Sequence, residues 1–211
     1  MLIRDCLSSN YQKLYSGMKI PFRTKVLLFY QKILNRGFYT TPLVKITNSG
    51  RGVKSILFFL PPEKDAAQVV AHFIKRSKSN ASLDFKFVTH QNSLTFYDNI
   101  PNSDFITYTE NDVNWFGAIK TNAVLDRIGH QSFDALVDLN QSFNQCLSLL
   151  SLQLKIPIKI GFQSPIADDL YSVVIQPVEN SFLERSYQVV EMILGIHLSL
   201  IHISEPTRLL R

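Results

Sequence analysis

Between Ser55 and Ile175 short apolar runs alternate with longer segments of helical spacing, and this alternation restricts what the chain can become more than any other feature. The first run, Ser55-Ile-Leu-Phe-Phe-Leu60, has no polar residue after its serine, as expected of a strand covered on both faces. Similar runs at 84–89, 104–108, 133–139, 157–161 and 170–175 predict further strands. Helical spacing over 63–78, 121–129, 142–154 and 182–194, with a short helix or turn over 91–97, fills most of the intervals. Connections of this length cross over rather than fold back. The expected fold is therefore α/β: a mainly parallel, Rossmann-like sheet with helices on both faces. Such sheets bind ligands at the carboxyl ends of their strands, here 60–65, 89–91, 138–141 and 161–164.

The 211 residues suit one domain with appendages, and 45% hydrophobic with 18% charged residues is a globular composition. The net charge of +5 conceals an asymmetry: residues 1–54 hold ten Lys/Arg and one acid, while the remainder is net acidic. The basicity thus belongs to a leader, and nucleic-acid binding by the main domain is not favoured. The expected division is a basic helical leader and linker over 1–54, a Rossmann-like domain over 55–195, and a tail over 196–211. Within the leader, Phe22, Val26, Phe29, Tyr30 and Ile33 share one face of a helix over 22–36. That face either packs on its own domain or makes peripheral contact with an anionic membrane surface. Gly37, Pro42, Gly50 and Gly52 mark the linker. Gly195 reads as a helix C-cap, and Leu198–Arg211 resembles a translated sequencing adapter, so the tail is set aside as artefactual and the gene is expected to continue or stop near there.

Cys6 and Cys146 form no CxxC pair, which argues against a structural zinc site or a disulfide framework. No apolar run approaches the ~20 residues that span a bilayer, and the N-terminus lacks signal-peptide order. A cytoplasmic location, peripheral to the inner face of the membrane if the helix attaches there, is expected, with no cofactor and no metal.

No GxGxxG follows a strand, and GxSxG and HExxH are absent. The histidines are scattered; His72 and His130 read as surface or packing residues, while His90 closes a strand and is a candidate ligand-binding residue. Asp138 and Asn140 lie where the ligand edge meets a helix start. They either hold a sugar hydroxyl or serve the turn, with Asn140 as N-cap. Gln163 opens the loop after another strand. Glu63 and Asp65 are the catalytic candidates, one of them as general base, although both also read as ordinary first-turn acids. The segment Glu110–Gly117 contains the sole tryptophan and reads either as a recognition loop or as aromatic residues buried under the sheet edge. Asp168 and Asp169 read as solvated loop acids.

Phe133-Asp-Ala-Leu-Val-Asp-Leu-Asn140, the helix carrying Leu147, Leu149 and Leu150, and Ile158-Lys-Ile-Gly-Phe162 together resemble the N-terminal Rossmann-like domain of family 9 glycosyltransferases, the bacterial lipopolysaccharide heptosyltransferases. The resemblance covers roughly residues 55–176. Asn114-Trp-Phe-Gly117 is similar to a loop of small uncharacterised proteins that share this domain alone. The first resemblance implies a sugar or lipid-linked acceptor and, in a complete enzyme, a second nucleotide-sugar domain. The second implies a non-catalytic ligand- or partner-binding domain. Family 9 enzymes carry a Gly-Asp pair after the first strand whose Asp deprotonates the acceptor. This chain reads Leu60-Pro-Pro-Glu-Lys-Asp65 there, so the resemblance transfers no catalytic role to Glu63 or Asp65.

Overall fold

A computed structural model describes residues 21–34, 53–77, 83–98, 100–101, 104–119, 122–176 and 183–194. Most of the expected linker, the Gly195 cap and the 196–211 tail lie outside the described residues. The chain runs α1 (Phe22–Leu34), β1 (Ser55–Phe59), α2 (Lys64–Ser77), β2 (Asp84–His90), a 3-10 turn (Gln91–Phe96), β3 (Phe105–Tyr108), α3 (Asn122–Gly129), β4 (Ala135–Asp138), α4 (Gln145–Gln153), β5 (Ile158–Phe162), α5 (Ala167–Leu170), β6 (Val173–Ile175) and α6 (Leu183–Leu194).

The strands form one six-stranded sheet in the order β3-β2-β1-β4-β5-β6, with every pair parallel. Period-2 alternation sends successive side chains of β1 to opposite faces. Ile56 and Phe58 join Val70 and Phe73 of α2 and Tyr187 and Val190 of α6, whereas Leu57 and Phe59 join Val124 and Ile128 of α3 and Leu147 and Leu150 of α4. This is the two-sided α/β layering that the uninterrupted apolar runs predict. At the amino edge the Asp134 carboxylate accepts from Lys54 N (2.7 Å) and Ser55 N (3.0 Å), which binds the start of β1 to the approach to β4.

Three expectations need correction. The run 170–175 divides, because residues 167–170 form a short helix and only Val173–Ile175 pair with β5. Asn140 does not cap α4; Asn144 does, its Oδ1 accepting from Leu147 N at 3.2 Å, and the helix begins three residues later than its apolar spacing implies. Finally, α1 does pack on the domain, but not through the face expected. Thr24 and Leu28, one turn apart on the opposite side, are the buried residues, and Leu28 meets Ile166 and Leu170 while Phe143, Leu152 and Tyr171 pack around them. Phe22, Val26, Phe29 and Tyr30 stay exposed. Between the sheet on one side and this cluster on the other, the middle of α4 is buried from Leu147 to Ser151, its two serines included.

Candidate functional site

The strand order reverses between β1 and β4, and that reversal opens the sheet. Beyond β1 the chain enters α2 on one face; beyond β4 it enters α4 on the other. A hydrogen bond from Leu139 N to Phe59 O (2.9 Å) holds the two exits together for one more residue, while Leu60 N donates to Val88 O of β2 (2.9 Å). Beyond Pro61 and Asn140 the two chains lead to helices on opposite faces of the sheet, and the crevice between such diverging exits is where open α/β sheets bind ligands.

Asp138 ends β4 with its side chain fully desolvated at the root of this crevice. Its Oδ1 accepts from Asn140 N (2.9 Å) and Asn140 Nδ2 (2.6 Å), and its Oδ2 accepts from the Tyr171 hydroxyl (2.5 Å). Burial raises the Asp138 pKa above the ordinary carboxylate value, while the donors from Tyr171 and Asn140 pull in the opposite direction. Burial and the neighbouring Asp138 together hold the Tyr171 hydroxyl protonated well beyond the usual range. The turn 138–140 is therefore fixed by Asp138 acting as an acceptor for its own loop, one of the two roles its sequence position allowed.

Asn140 is buried too, and only its amide nitrogen is used: the side-chain carbonyl has no hydrogen-bond partner. Beside it, the Gln141 Nε2 is also buried; it lies close enough to the Tyr187 hydroxyl to lower that group's pKa, yet makes no hydrogen bond of ordinary geometry. A buried acceptor and a buried donor thus stand unused on consecutive residues at the crevice. Native interiors rarely leave such groups unsatisfied, each costing about 1–3 kcal/mol.

The opposite wall is the loop after β1. Tyr97 donates to Pro61 O (2.7 Å) and Ser93 donates to Pro62 O (3.3 Å), which bolts the two prolines to the 3-10 turn. Next, Glu63 Oε1 accepts from Ser142 Oγ at 3.4 Å, a bridge across the mouth of the crevice between residues 79 apart in sequence. No glycine lets a phosphate approach the start of α2, and Glu63 and Asp65 place carboxylates at the helix end that an anion would need.

The remaining candidates sit elsewhere. The His90 Nδ1 accepts from Asn92 N (3.3 Å), so the proton lies on Nε2, which points at Glu110 Oε1 at 3.2 Å while the ring packs edge-on to Tyr108. Both nitrogens are engaged in joining β2 to the turn after β3. Asp65 is exposed on α2, Gln163 is half-buried one strand away with its backbone N–H on Ile175 O, and His72 and His130 are exposed. Asp168 and Asp169 lie in the first turn of α5. The structure therefore groups Asp138, Asn140 and Glu63 and separates them from His90, Asp65 and Gln163.

Sequence reasoning did not identify Tyr171, Gln141 or Ser142. A signal for the first existed: Gly161 sits inside β5, and a Cβ there would lie 2.4 Å from the Tyr171 ring. Glycine in a buried strand often marks just such a close approach.

The loop after β3 is displayed rather than buried. Asn114 Oδ1 accepts from Phe116 N (2.9 Å) and Ala118 N (3.0 Å), Gly117 takes φ +81, and Gln145 Nε2 donates to Phe116 O (2.8 Å). Trp115 and Phe116 project outward from this turn, which corrects the expectation that they are buried under the sheet edge. Arg23 of α1 stacks 3.5 Å from the Trp115 ring centre.

Among the described residues, no group of three His, Cys, Asp or Glu side chains is arranged to hold a metal ion. Cys146 is a free thiol. Also among the described residues, no helix is long and apolar enough to cross a membrane. The model of a family of unknown function, DUF6913, matches residues 28–190, from the middle of α1 nearly to the end of α6. No curated protein and no solved structure matches the chain.

Proposed function

Since the chain belongs to the DUF6913 family, whose function is unknown, we infer its role from its own geometry: a non-catalytic binding domain that takes the hydroxyls of an uncharged polar ligand, such as a sugar, in the crevice between β1 and β4. The observation that carries this reading is the unpartnered buried pair, Asn140 Oδ1 and Gln141 Nε2. A hydroxyl both donates and accepts, so vicinal hydroxyls complete such a pair without burying a charge. The carboxyl groups of Glu63 and Asp138 disfavour phosphate, and the likeness of 133–140 and 158–162 to family 9 glycosyltransferases supports a sugar as the ligand class. Catalysis lacks support: Asp138 is consumed by its own turn, and the Gly-Asp pair of the resembled enzymes has no counterpart. The free Cys146 thiol agrees with a cytoplasmic location.

One contact favours a second reading, a divergent or truncated heptosyltransferase-like enzyme of cell-envelope glycan or lipopolysaccharide synthesis. Glu63 already accepts a hydrogen bond from a hydroxyl across the crevice mouth, that of Ser142. In that reading Glu63 takes the proton of an acceptor hydroxyl, and Glu63→Gln abolishes sugar transfer from a nucleotide sugar.

Calorimetric titration of the whole chain with simple hexoses and heptoses, and separately with pyrophosphate, distinguishes these ideas. The binding reading expects millimolar-range sugar affinity, weakened about threefold to tenfold by Ser142→Ala, whose exposed site carries no folding burden. Pyrophosphate binding tighter than sugar binding would overturn it. Turnover of a nucleotide sugar that is lost in Glu63→Gln would favour the enzyme.

A further inference from the structure

We propose that the outward face of α1, together with the Trp115–Phe116 turn, docks the protein on an anionic lipid bilayer surface. The helix is held by Thr24 and Leu28, and on its other side, among the described residues, Phe22 is 79% and Phe29 66% exposed, with Val26 and Tyr30 beside them. Leaving four large apolar side chains in water on consecutive turns of one short helix is unusual for a face with no partner. The Trp115 turn adds to it. Arg23 draws this turn against the start of α1 through ring stacking and an NH1 contact to Trp115 O at 3.5 Å, and Trp115 itself is 68% exposed.

Charge identifies the occupant. From Cys6 to Pro62 the sequence holds nine Lys and Arg and no Asp or Glu. Within α1 the described cations, Arg23 and Lys25, are exposed and border the aromatic face rather than occupying its centre. Apolar and aromatic residues in the middle with cations at the margins suit an interface in which the rings enter the acyl boundary and the cations meet headgroup phosphates. A nucleic-acid surface reverses this, with cations central on the phosphate track. A second copy of the chain would bring like charges together. Both the Phe143 loop after β4 and the Ile166 turn after β5 support α1, so docking this way sets the carboxyl edge of the sheet beside the bilayer.

Trp115 is the sole tryptophan and reports directly. The whole chain is mixed with vesicles of phosphatidylcholine alone and of phosphatidylcholine with phosphatidylglycerol, and tryptophan emission and vesicle co-flotation are followed. The expected result is a blue shift and co-flotation with the anionic vesicles only, weakened by salt. In Phe22→Ser/Phe29→Ser, both positions being exposed, binding falls about tenfold or more while the far-ultraviolet circular dichroism is unchanged. Failure to bind anionic vesicles overturns the proposal, as does binding that ignores the double substitution. So does a concentration-dependent blue shift without lipid, which identifies a second copy as the occupant, or salt-sensitive binding of RNA or DNA that displaces the vesicles.

Discussion

Asp138 shows how one side chain answers to its surroundings rather than to its motif. In Phe133-Asp-Ala-Leu-Val-Asp-Leu-Asn140 two acids stand four residues apart, and their strand carries them to opposite edges of the sheet: Asp134 clamps the amino end, Asp138 the turn at the carboxyl end. Removing the Asp138 acceptor strands Tyr171 and both Asn140 donors, so Asp138→Ala should cost ~3 kcal/mol. Asp138→Asn keeps an acceptor for Asn140 and a group able to meet the Tyr171 hydroxyl, so it should cost ~1 kcal/mol or less. The raised pKa fixes a sign. The folded state retains the proton to higher pH than the unfolded chain, so the contribution of Asp138 to stability is greatest below the ordinary carboxylate pKa and falls as pH climbs from there through the raised value. Urea midpoints measured against pH should show a shallower decline in Asp138→Asn.

Lys159 behaves in the opposite sense. Burial on β5 pulls its pKa down to about 8, and its ammonium donates to Ser151 O at 2.5 Å with no ionic partner among the described residues. The unfolded chain holds that proton more tightly, so the penalty from Lys159 is full below pH about 8 and is relieved between there and the ordinary lysine value of 10.5. Lys159→Met should remove that penalty and stabilise the protein at neutral pH by ~1 kcal/mol, measured by the same titration.

At the scale of elements, two glycines link loops to the site. Gly161 leaves room for the Tyr171 ring against β5, so Gly161→Ala should displace the ring and break its bond to Asp138. A loss of ~2 kcal/mol is expected, and it should shrink in a Tyr171→Phe background, where that hydrogen bond no longer exists; equal losses in both backgrounds would refute the link. Gly117 adopts φ +81, where an L-residue is strained, and a Cβ there meets Gln145. Gly117→Ala should lower stability by ~1–3 kcal/mol. Elements of this kind were partly legible in the sequence. Periodicity located each strand and long helix, because central strands covered on both faces, such as β1 and β4, read as apolar runs and the helices between them carry apolar residues at helical spacing. It misplaced the packed face of α1, because Thr24 and Leu28 form too narrow a contact to dominate a helical wheel that carries Phe22, Val26, Phe29 and Tyr30. It read α5 as loop and began β6 three residues early, at Leu170, because a four-residue helix has too little length to display a period.

For the molecule as a whole, the alternation of strands and crossovers implied a parallel Rossmann-like sheet, and the structure has the order that places a crevice between β1 and β4. Which residues meet there was only half legible. Asp138 and Asn140 are two apart and were visible together, but Tyr171 reaches Asp138 from 33 residues away and Ser142 reaches Glu63 across 79, separations over which local pattern carries no information. The crevice accounts for the two unused polar groups if hydroxyls complete them. Amide chemical shifts of the isotope-labelled chain, recorded as a hexose or heptose is added, test this most directly. The account predicts that shifts concentrate at Glu63, Asn140, Gln141 and Ser142 and diminish in Ser142→Ala. Shifts confined to the Trp115 turn, or scattered with no focus between β1 and β4, would contradict it.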